Sequence, residues 1–228
     1  MSYQLKKRIA GGENQVLDFK FEISDSRKIA RSLVAFSNTD GGSLLLGVKD
    51  NGAIAGVRSA EEYYMVEAAA QMYCRPEIRY RLKEYVLEGK NILEVIVPRG
   101  DDIPYYALSK EDQWMVYIRV GDRNMLANNI LLRVWQRIKT NKGVLIRYTD
   151  KEKVLLEFLE QNEKITFSRF RKMASISKHV AEIVLINFLL LEIIEIVFDE
   201  NQTFYRLKPE NRKGTGKYYT GVTGNMAC

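Results

Sequence analysis

Five residues, Asn38-Thr39-Asp40-Gly41-Gly42, separate two hydrophobic segments of different period. Before them, Ile29, Ala30, Leu33, Val34 and Phe36 recur at helical spacing, and Ser24, Asp25 or Ser26 can cap the helix they imply. After them, Ser43 to Val48 is a near-continuous apolar run, the pattern of a strand buried on both faces. Lys49-Asp50-Asn51-Gly52 has the composition of a hairpin turn, with Ala53 to Val57 as the return strand. Val16 to Phe21 is a further strand, in which polar Asp18 and Lys20 alternate with Phe19 and Phe21. A strand, a helix and a buried strand in this order require a helix packed on a sheet, hence an α/β (α+β) fold.

The rest of the chain extends this domain and adds a second. Ala60 to Cys74 reads as a helix stopped at Arg75-Pro76. Arg79–Leu87, Asn91–Val97, Tyr105–Leu108 and Trp114–Val120 read as strands, and Asn128–Lys139 as the helix that closes a first domain, 1–141. Residues 142–149 contain Lys142-Gly143 and read as a linker. Three helices follow, Asp150–Gln161, Thr166–Met173 and Ser177–Leu191. Two strands, Ile194–Phe198 and Thr203–Leu207, then flank the turn Asp199–Gln202. Three helices and a β-wing are the order of a winged helix-turn-helix, 150–209. Residues 210–228 are rich in Gly, Lys and Tyr without periodicity, as in a flexible tail or a strap.

Composition narrows the functions. The 228 residues carry a net charge of +6, which suits an anionic partner. The start, Met1 to Arg8, has charge but no apolar core, so no secretory signal is expected there. The apolar stretch Val180–Phe198 is interrupted by Glu182, Asn187, Glu192 and Glu195, which argues against a membrane span. Cys74 and Cys228 form no disulfide framework, and a reduced, cytoplasmic setting is expected. With His179 as the lone histidine, no His/Cys zinc site can be built. ATP is not an expected ligand: Gly214-Thr-Gly-Lys217 is followed by Tyr218 and has Asn211 where a P-loop needs its first glycine.

The ordered set Glu13-Asn-Gln-Val-Leu-Asp18-Phe-Lys20, Ile29 to Gly42, Leu44 to Gly52 and Gly56-Val57, followed by Tyr117-Ile-Arg-Val-Gly-Asp122, resembles the Schlafen AlbA_2 domain family over roughly residues 5–140. Many bacterial members also carry a C-terminal winged helix. The resemblance implies an AlbA-like domain and a bacterial DNA-binding transcriptional regulator. It also implies an alternative, the metal-dependent endoribonuclease of vertebrate Schlafen proteins, whose three acidic positions fall on Glu13, Asp18 and Asp50. Asp18 stands where many relatives have the longer Glu, and the vertebrate core's zinc site has no counterpart.

On the nuclease reading, the three carboxylates suit Mg²⁺ or Mn²⁺, and Lys20, on the same strand face as Asp18, would hold a phosphate or offset developing charge. The plainer reading makes Asp50 a turn residue and Asp18–Lys20 a surface pair. On the binding reading no cofactor is required, and Lys20, Arg119 and Arg123 form the backbone-gripping face for DNA or RNA, supplemented by Arg169, Arg171 and Lys172. Gly41-Gly42 either admits a phosphate or simply stops a helix. Residues 150–209 hold nine basic and ten acidic groups, whereas 1–149 hold 23 and 18, so the positive surplus lies mostly in the first domain. The winged helix therefore serves as a homodimer or partner module as readily as a DNA reader. A protein-interaction scaffold is the third class.

Overall fold

The computed structural model describes residues 2–57, 61–140, 144, 148–199 and 202–211. The expected linker lies largely outside these residues, as do the tail from 212 onward and Glu200 and Asn201 of the wing turn. By internal contacts the chain divides into two units, Met1–Asn128 and Asn129–Cys228.

The first unit runs α1 (Ser2–Ala10), β1 (Leu17–Lys20), α2 (Ser26–Ser37), β2 (Gly42–Leu46), α3 (Glu61–Met72), β3 (Cys74–Arg75), β4 (Arg81–Leu87), β5 (Lys90–Val97), β6 (Tyr106–Leu108), β7 (Trp114–Met115), β8 (Tyr117–Val120) and β9 (Arg123–Leu126). Its main sheet has the order β1-β2-β5-β4, with β1 and β2 parallel and the other pairs antiparallel. The parallel pair is joined through α2, as a parallel connection requires. Leu44, Leu46, Leu93 and Val95 pack on α2 and α3, while Leu45 and Ile92 share the opposite face with Leu5 and Ile9 of α1. Burial on both faces explains why β2 is apolar at successive positions.

Helix α1 was not legible as a helix, because Lys6-Lys7-Arg8 dominates so short a segment. Its signal is Leu5 and Ile9, one helical turn apart and both buried. Arg8 fixes it further, with Nη1 2.7 Å from an oxygen of the buried Glu94 on β5. Tyr85 donates to the other Glu94 oxygen at 2.7 Å.

Asp25 caps α2, its carboxylate accepting from the Arg27 N–H at 2.9 Å. At the other end the Gly41 N–H returns to Phe36 O at 2.9 Å, with Gly41 at φ +73°. A Cβ on Gly41 would stand 2.8 Å from backbone atoms of Val97 and Arg99. These glycines thus serve a helix stop and a close backbone approach. Asn38, read as part of that stop, has a further role. Its Nδ2 donates to the carbonyls of Tyr105 and Tyr117 at 2.9 and 2.8 Å, and its Oδ1 accepts from Tyr105 N–H at 2.7 Å.

Three local expectations change. The return strand Ala53–Val57 reduces to a single bridge, Val48↔Ile54. Gly47, at φ +86°, breaks the extended run, and its carbonyl takes the N–H groups of both Ala55 and Gly56. The single strand expected at Trp114–Val120 is two: β7 joins a sheet of order β3-β6-β7, and β8 pairs with β9. The helix expected to reach Cys74 ends at Met72, since Cys74–Arg75 pairs with β6.

The second unit runs α4 (Asn129–Lys139), α5 (Asp150–Gln161), β10 (Ile165–Thr166), α6 (Phe167–Met173), α7 (Lys178–Leu190), β11 (Ile194–Phe198) and β12 (Thr203–Leu207). Helix α4, expected to close the first domain, belongs here. Ile130 and Val134 join the core of Leu155, Phe170, Leu185 and Tyr205, and Arg133 pairs with Glu182 at 2.8 Å. The sheet order is β10-β12-β11, all antiparallel. Thr149 and Glu152 form a capping box on α5, and Thr166 and Ser177 cap α6 and α7. Among the described residues no single helix is long and apolar enough to cross a membrane.

Replacing Asn38 by Asp keeps an acceptor for Tyr105 N–H but removes both donors, leaving two carbonyls without their partner. The expected loss is about 1–3 kcal/mol for each group so left. It is measured as a lower urea midpoint at unchanged m-value; an unchanged midpoint would reduce Asn38 to a helix stop.

Candidate functional site

Asp18 and Lys20 sit two residues apart on β1 and so face the same side of the sheet, the side covered by α2. Asp18 is only 2% exposed. A buried carboxylate must be compensated. Ser32 of α2 donates to Oδ2 at 2.8 Å, Lys20 Nζ reaches Oδ1 at 3.1 Å, and Arg119 Nη1 of β8 stands 3.6 Å from Oδ1. Asn124 of β9 closes the ring, donating to Ser32 Oγ at 2.9 Å and accepting from Arg119 Nη1 at 3.1 Å.

Glu13, in the loop before β1, completes a carboxyl pair. Its Oε1 accepts from Phe19 N–H at 2.7 Å, and its side chain is hydrogen-bonded to that of Asp18. Burial, the hydrogen bond to Asp18 and Asp18's negative charge push the Glu13 pKa up to about 7, against weaker opposition from Phe19 N–H and Lys20. Burial pulls Asp18 the same way. The hydrogen bond from Glu13, the charges of Lys20 and Arg119, and the Ser32 hydroxyl outweigh it, so Asp18 ionises below its ordinary 3.8. Below its raised pKa Glu13 therefore carries a proton, beside an Asp18 that stays ionised. A group that titrates near neutrality beside a fixed anion is equipped for proton transfer.

The structure brings Glu13, Asp18 and Lys20 together and leaves Asp50 apart. Asp50 occupies the turn after β2, beside a hollow of about 380 Å³ that Ile9, Lys6, Leu87 and Glu88 also line. Among the described residues no group of three or more His, Cys, Asp or Glu side chains is placed to hold a metal ion. The pair itself does not suit Mg²⁺ or Mn²⁺. Oδ1 and Oδ2 of Asp18 are engaged by Lys20 and Ser32, Glu13 Oε1 is engaged by Phe19 N–H, and two cations already neutralise the carboxylate.

Arg119, expected on a backbone-gripping face, is buried at 2% exposure. It donates to Asn14 O, Leu17 O and Asn124 Oδ1, and its guanidinium lies 5.3 Å from the Phe36 ring centre. Its donors are spent inside the protein, which makes it a structural counter-ion to Asp18. Lys20 is half-buried and donates to Asp18 and to Phe19 O. Arg123 is exposed, 3.9 Å from Asp122. In the second unit Arg169, Arg171 and Lys172 are all exposed on α6, with Arg169 stacked 4.6 Å from the Phe158 ring centre. Ser32, Asn124 and Gln15 were missed. Gln15 bonds Asp40, Arg119 O and Gly121 N–H, tying the β1 loop to the β8–β9 turn. Only Ser32 left a trace, as a hydroxyl inside the apolar stripe of α2.

The model of the Schlafen, AlbA_2 family matches residues 13–128, which include every residue of this cluster. Among curated proteins none matches. Of the solved structures, the DIP2311 protein of Corynebacterium diphtheriae is 18% identical at a TM-score of 0.44. That match covers 60% of this chain and 32% of the Corynebacterium chain, so this chain spans about a third of that protein's length. The N-terminal domain of a RecG-related protein of Nitrosomonas europaea is 20% identical at a TM-score of 0.38, over 64% of this chain and 95% of that domain.

Two substitutions test the cluster. Arg119→Met removes a buried counter-ion and is expected to cost about 3–5 kcal/mol in urea unfolding; a loss under about 1 kcal/mol would instead suit a surface arginine. Glu13→Gln keeps an acceptor for Phe19 N–H and a donor for Asp18 but abolishes titration. Because the folded-state pKa of Glu13 is raised from 4.5 to about 7, its stabilising effect is complete below pH 4.5 and is lost as pH rises through 7. The unmodified protein should therefore lose stability across that window, and the Gln variant should lose less. Asp18, being depressed, acts only below pH 3.8 and does not blur the comparison. Parallel pH profiles for the two proteins would refute the raised pKa.

Proposed function

This chain belongs to the Schlafen, AlbA_2 family, and on that footing we propose that it is a nucleic-acid-binding protein acting as a DNA-binding transcriptional regulator. The observation that carries the reading is the second unit. Helix α5, strand β10, helices α6 and α7, then β11 and β12 follow in the order of a winged helix-turn-helix, with β10 paired to β12. The chain bends by 114° between α6 and α7, within the range of helix-turn-helix pairs. Arg169, Arg171 and Lys172 of α6 and Lys178 and His179 at the start of α7 are exposed around that bend. The near-balance of charge in residues 150–209 is uneven in space: Arg169, Arg171 and Lys172 gather on α6, whereas Glu195 pairs with Arg206 and Glu182 of α7 lies against both Arg133 and Lys178.

Burial of Arg119 moves the weight of phosphate contact from the first unit to α6, with Arg123 as the exposed cation left from the face expected on β8–β9. The competing reading is an endoribonuclease. Its favouring observation is the Glu13 carboxyl, pushed up to about 7 beside Asp18. Cleavage of structured RNA that is lost in a folded Glu13→Gln variant would favour it.

Fluorescence anisotropy with labelled duplex DNA at two salt concentrations tests the proposal. Affinity is expected to fall steeply with salt, and Arg169→Ala/Arg171→Ala/Lys172→Ala is expected to flatten the log–log slope by about 0.9 per phosphate contact removed. A slope unchanged by the triple variant would exclude α6 from the interface, and absence of binding at low salt would exclude the function.

A further inference from the structure

The small β3-β6-β7 sheet has two different faces. Cys74 pairs with Ala107 and Ala107 with Met115, and Cys74 and Ala107 are buried in the core of the first unit. The alternate positions point the other way. Arg75 lies opposite Tyr106, and Leu108, two residues beyond Tyr106, lies opposite Trp114. The outer face therefore carries Arg75, Tyr106, Leu108 and Trp114, one or more from each strand.

On that face Arg75, Pro76, Tyr106 and Trp114 line a shallow hollow of about 280 Å³. The Arg75 guanidinium reaches across the sheet and rests 4.3 Å from the centre of the Trp114 ring. The indole face thus already takes a planar cation at stacking distance, and a flat partner would reach it by displacing or sandwiching that guanidinium. The hollow holds one cation, Arg75, and the segment that follows it in the chain is basic. From Arg75 to Lys83 the chain carries exposed Arg75, Arg79, Arg81 and Lys83 against one acid, Glu77. An apolar aromatic wall edged by positive charge is complementary to a nucleobase with its phosphate attached, since stacking and backbone neutralisation act together on single strands.

We infer that the outer face of the β3-β6-β7 sheet is a stacking site for an unpaired base of single-stranded nucleic acid, with Trp114 and Tyr106 as the platform and Arg75 as the stacking and phosphate-contacting cation. This rests on the nucleic-acid reading and adds to it a location in the first unit and a preference for unpaired bases. A proline-rich peptide is the other occupant that an aromatic hollow admits; the guanidinium of Arg75 within the hollow, and the basic segment that continues from it, favour the polyanion.

The chain has two tryptophans, Trp114 and Trp135, so a Trp135→Phe background isolates the indole of interest. The full chain is titrated with a short oligothymidylate, an abasic oligomer of equal length, duplex DNA and a proline-rich peptide, reading Trp114 fluorescence and anisotropy together. Quenching by the oligothymidylate and weaker binding of the abasic oligomer are expected. Trp114→Ala and Arg75→Ala should each weaken oligothymidylate binding about tenfold, whereas Trp114→Phe should largely restore it. Equal affinity for oligothymidylate and abasic oligomer, with no quenching, overturns the stacking site and leaves the winged-helix reading standing if duplex DNA still binds. Quenching by the peptide alone overturns it in favour of a peptide groove. No binding of any nucleic acid overturns both. Quenching in the Trp135→Phe protein decides the matter even where Trp114→Ala fails to fold.

Discussion

An ionised carboxylate with 2% exposure is tolerable only where opposite charge and hydrogen-bond donors surround it. Asp18 meets that condition with groups drawn from β1, α2 and β8, and Asn124 of β9 ties two of those groups together. The requirement organises the first unit. It explains why α2 carries a hydroxyl in the middle of its apolar stripe, and why Arg119 is turned inward from a strand end. It also explains how the loop before β1 and the first residue of β1 are held, through Asn14 O and Leu17 O, which accept from Arg119. The raised pKa of Glu13 follows as well: a carboxyl withdrawn from water beside a stabilised anion ionises late.

Much of this architecture was legible from period alone. The stripe Ile29 to Phe36 and the run Ser43 to Val48 gave α2 and β2, since an element buried on a known face leaves a periodic trace. Tertiary hydrogen bonds leave none. Asn38 looks like a helix stop whether or not it reaches Tyr105 and Tyr117, and Arg119 next to Gly121-Asp122 looks exposed in any strand that ends in a turn. Helix α1, with two buried apolar residues, and β9, with no alternation in Arg123-Asn-Met-Leu126, fell below what a pattern can resolve. Helix α4 was visible but not its allegiance, because Ile130 and Val134 would cover any apolar surface.

For the site, motif order placed Glu13, Asp18 and Lys20 together, and Asp50 with them. Sequence order carries no information on which side of a sheet a turn falls. Asp50 follows β2 on the side of α1, whereas Asp18 faces α2, so a trio that is contiguous as a motif becomes a pair in space. The aromatic face of the β3-β6-β7 sheet had no signal, since Arg75, Tyr106 and Trp114 meet only through strand register.

Of the two cations that neutralise Asp18, Lys20 is adjacent but Arg119 lies far along the chain: its bond to Leu17 spans 102 residues, and the tertiary bonds of Asn38 span 67 and 79. A ribosome extending the chain at about 5–20 residues per second needs about 5–20 s to deliver Arg119 after Asp18. Throughout that interval Asp18 has Lys20 and Ser32 but lacks the buried guanidinium of Arg119, so its compensation is incomplete and β1 settles less firmly against α2. Completion of the first unit during synthesis is therefore gated by emergence of the β8–β9 segment. A nascent chain halted before Arg119 would hold its helices and its β4–β5 pair, with the edge strand that bears Asp18 less firmly seated.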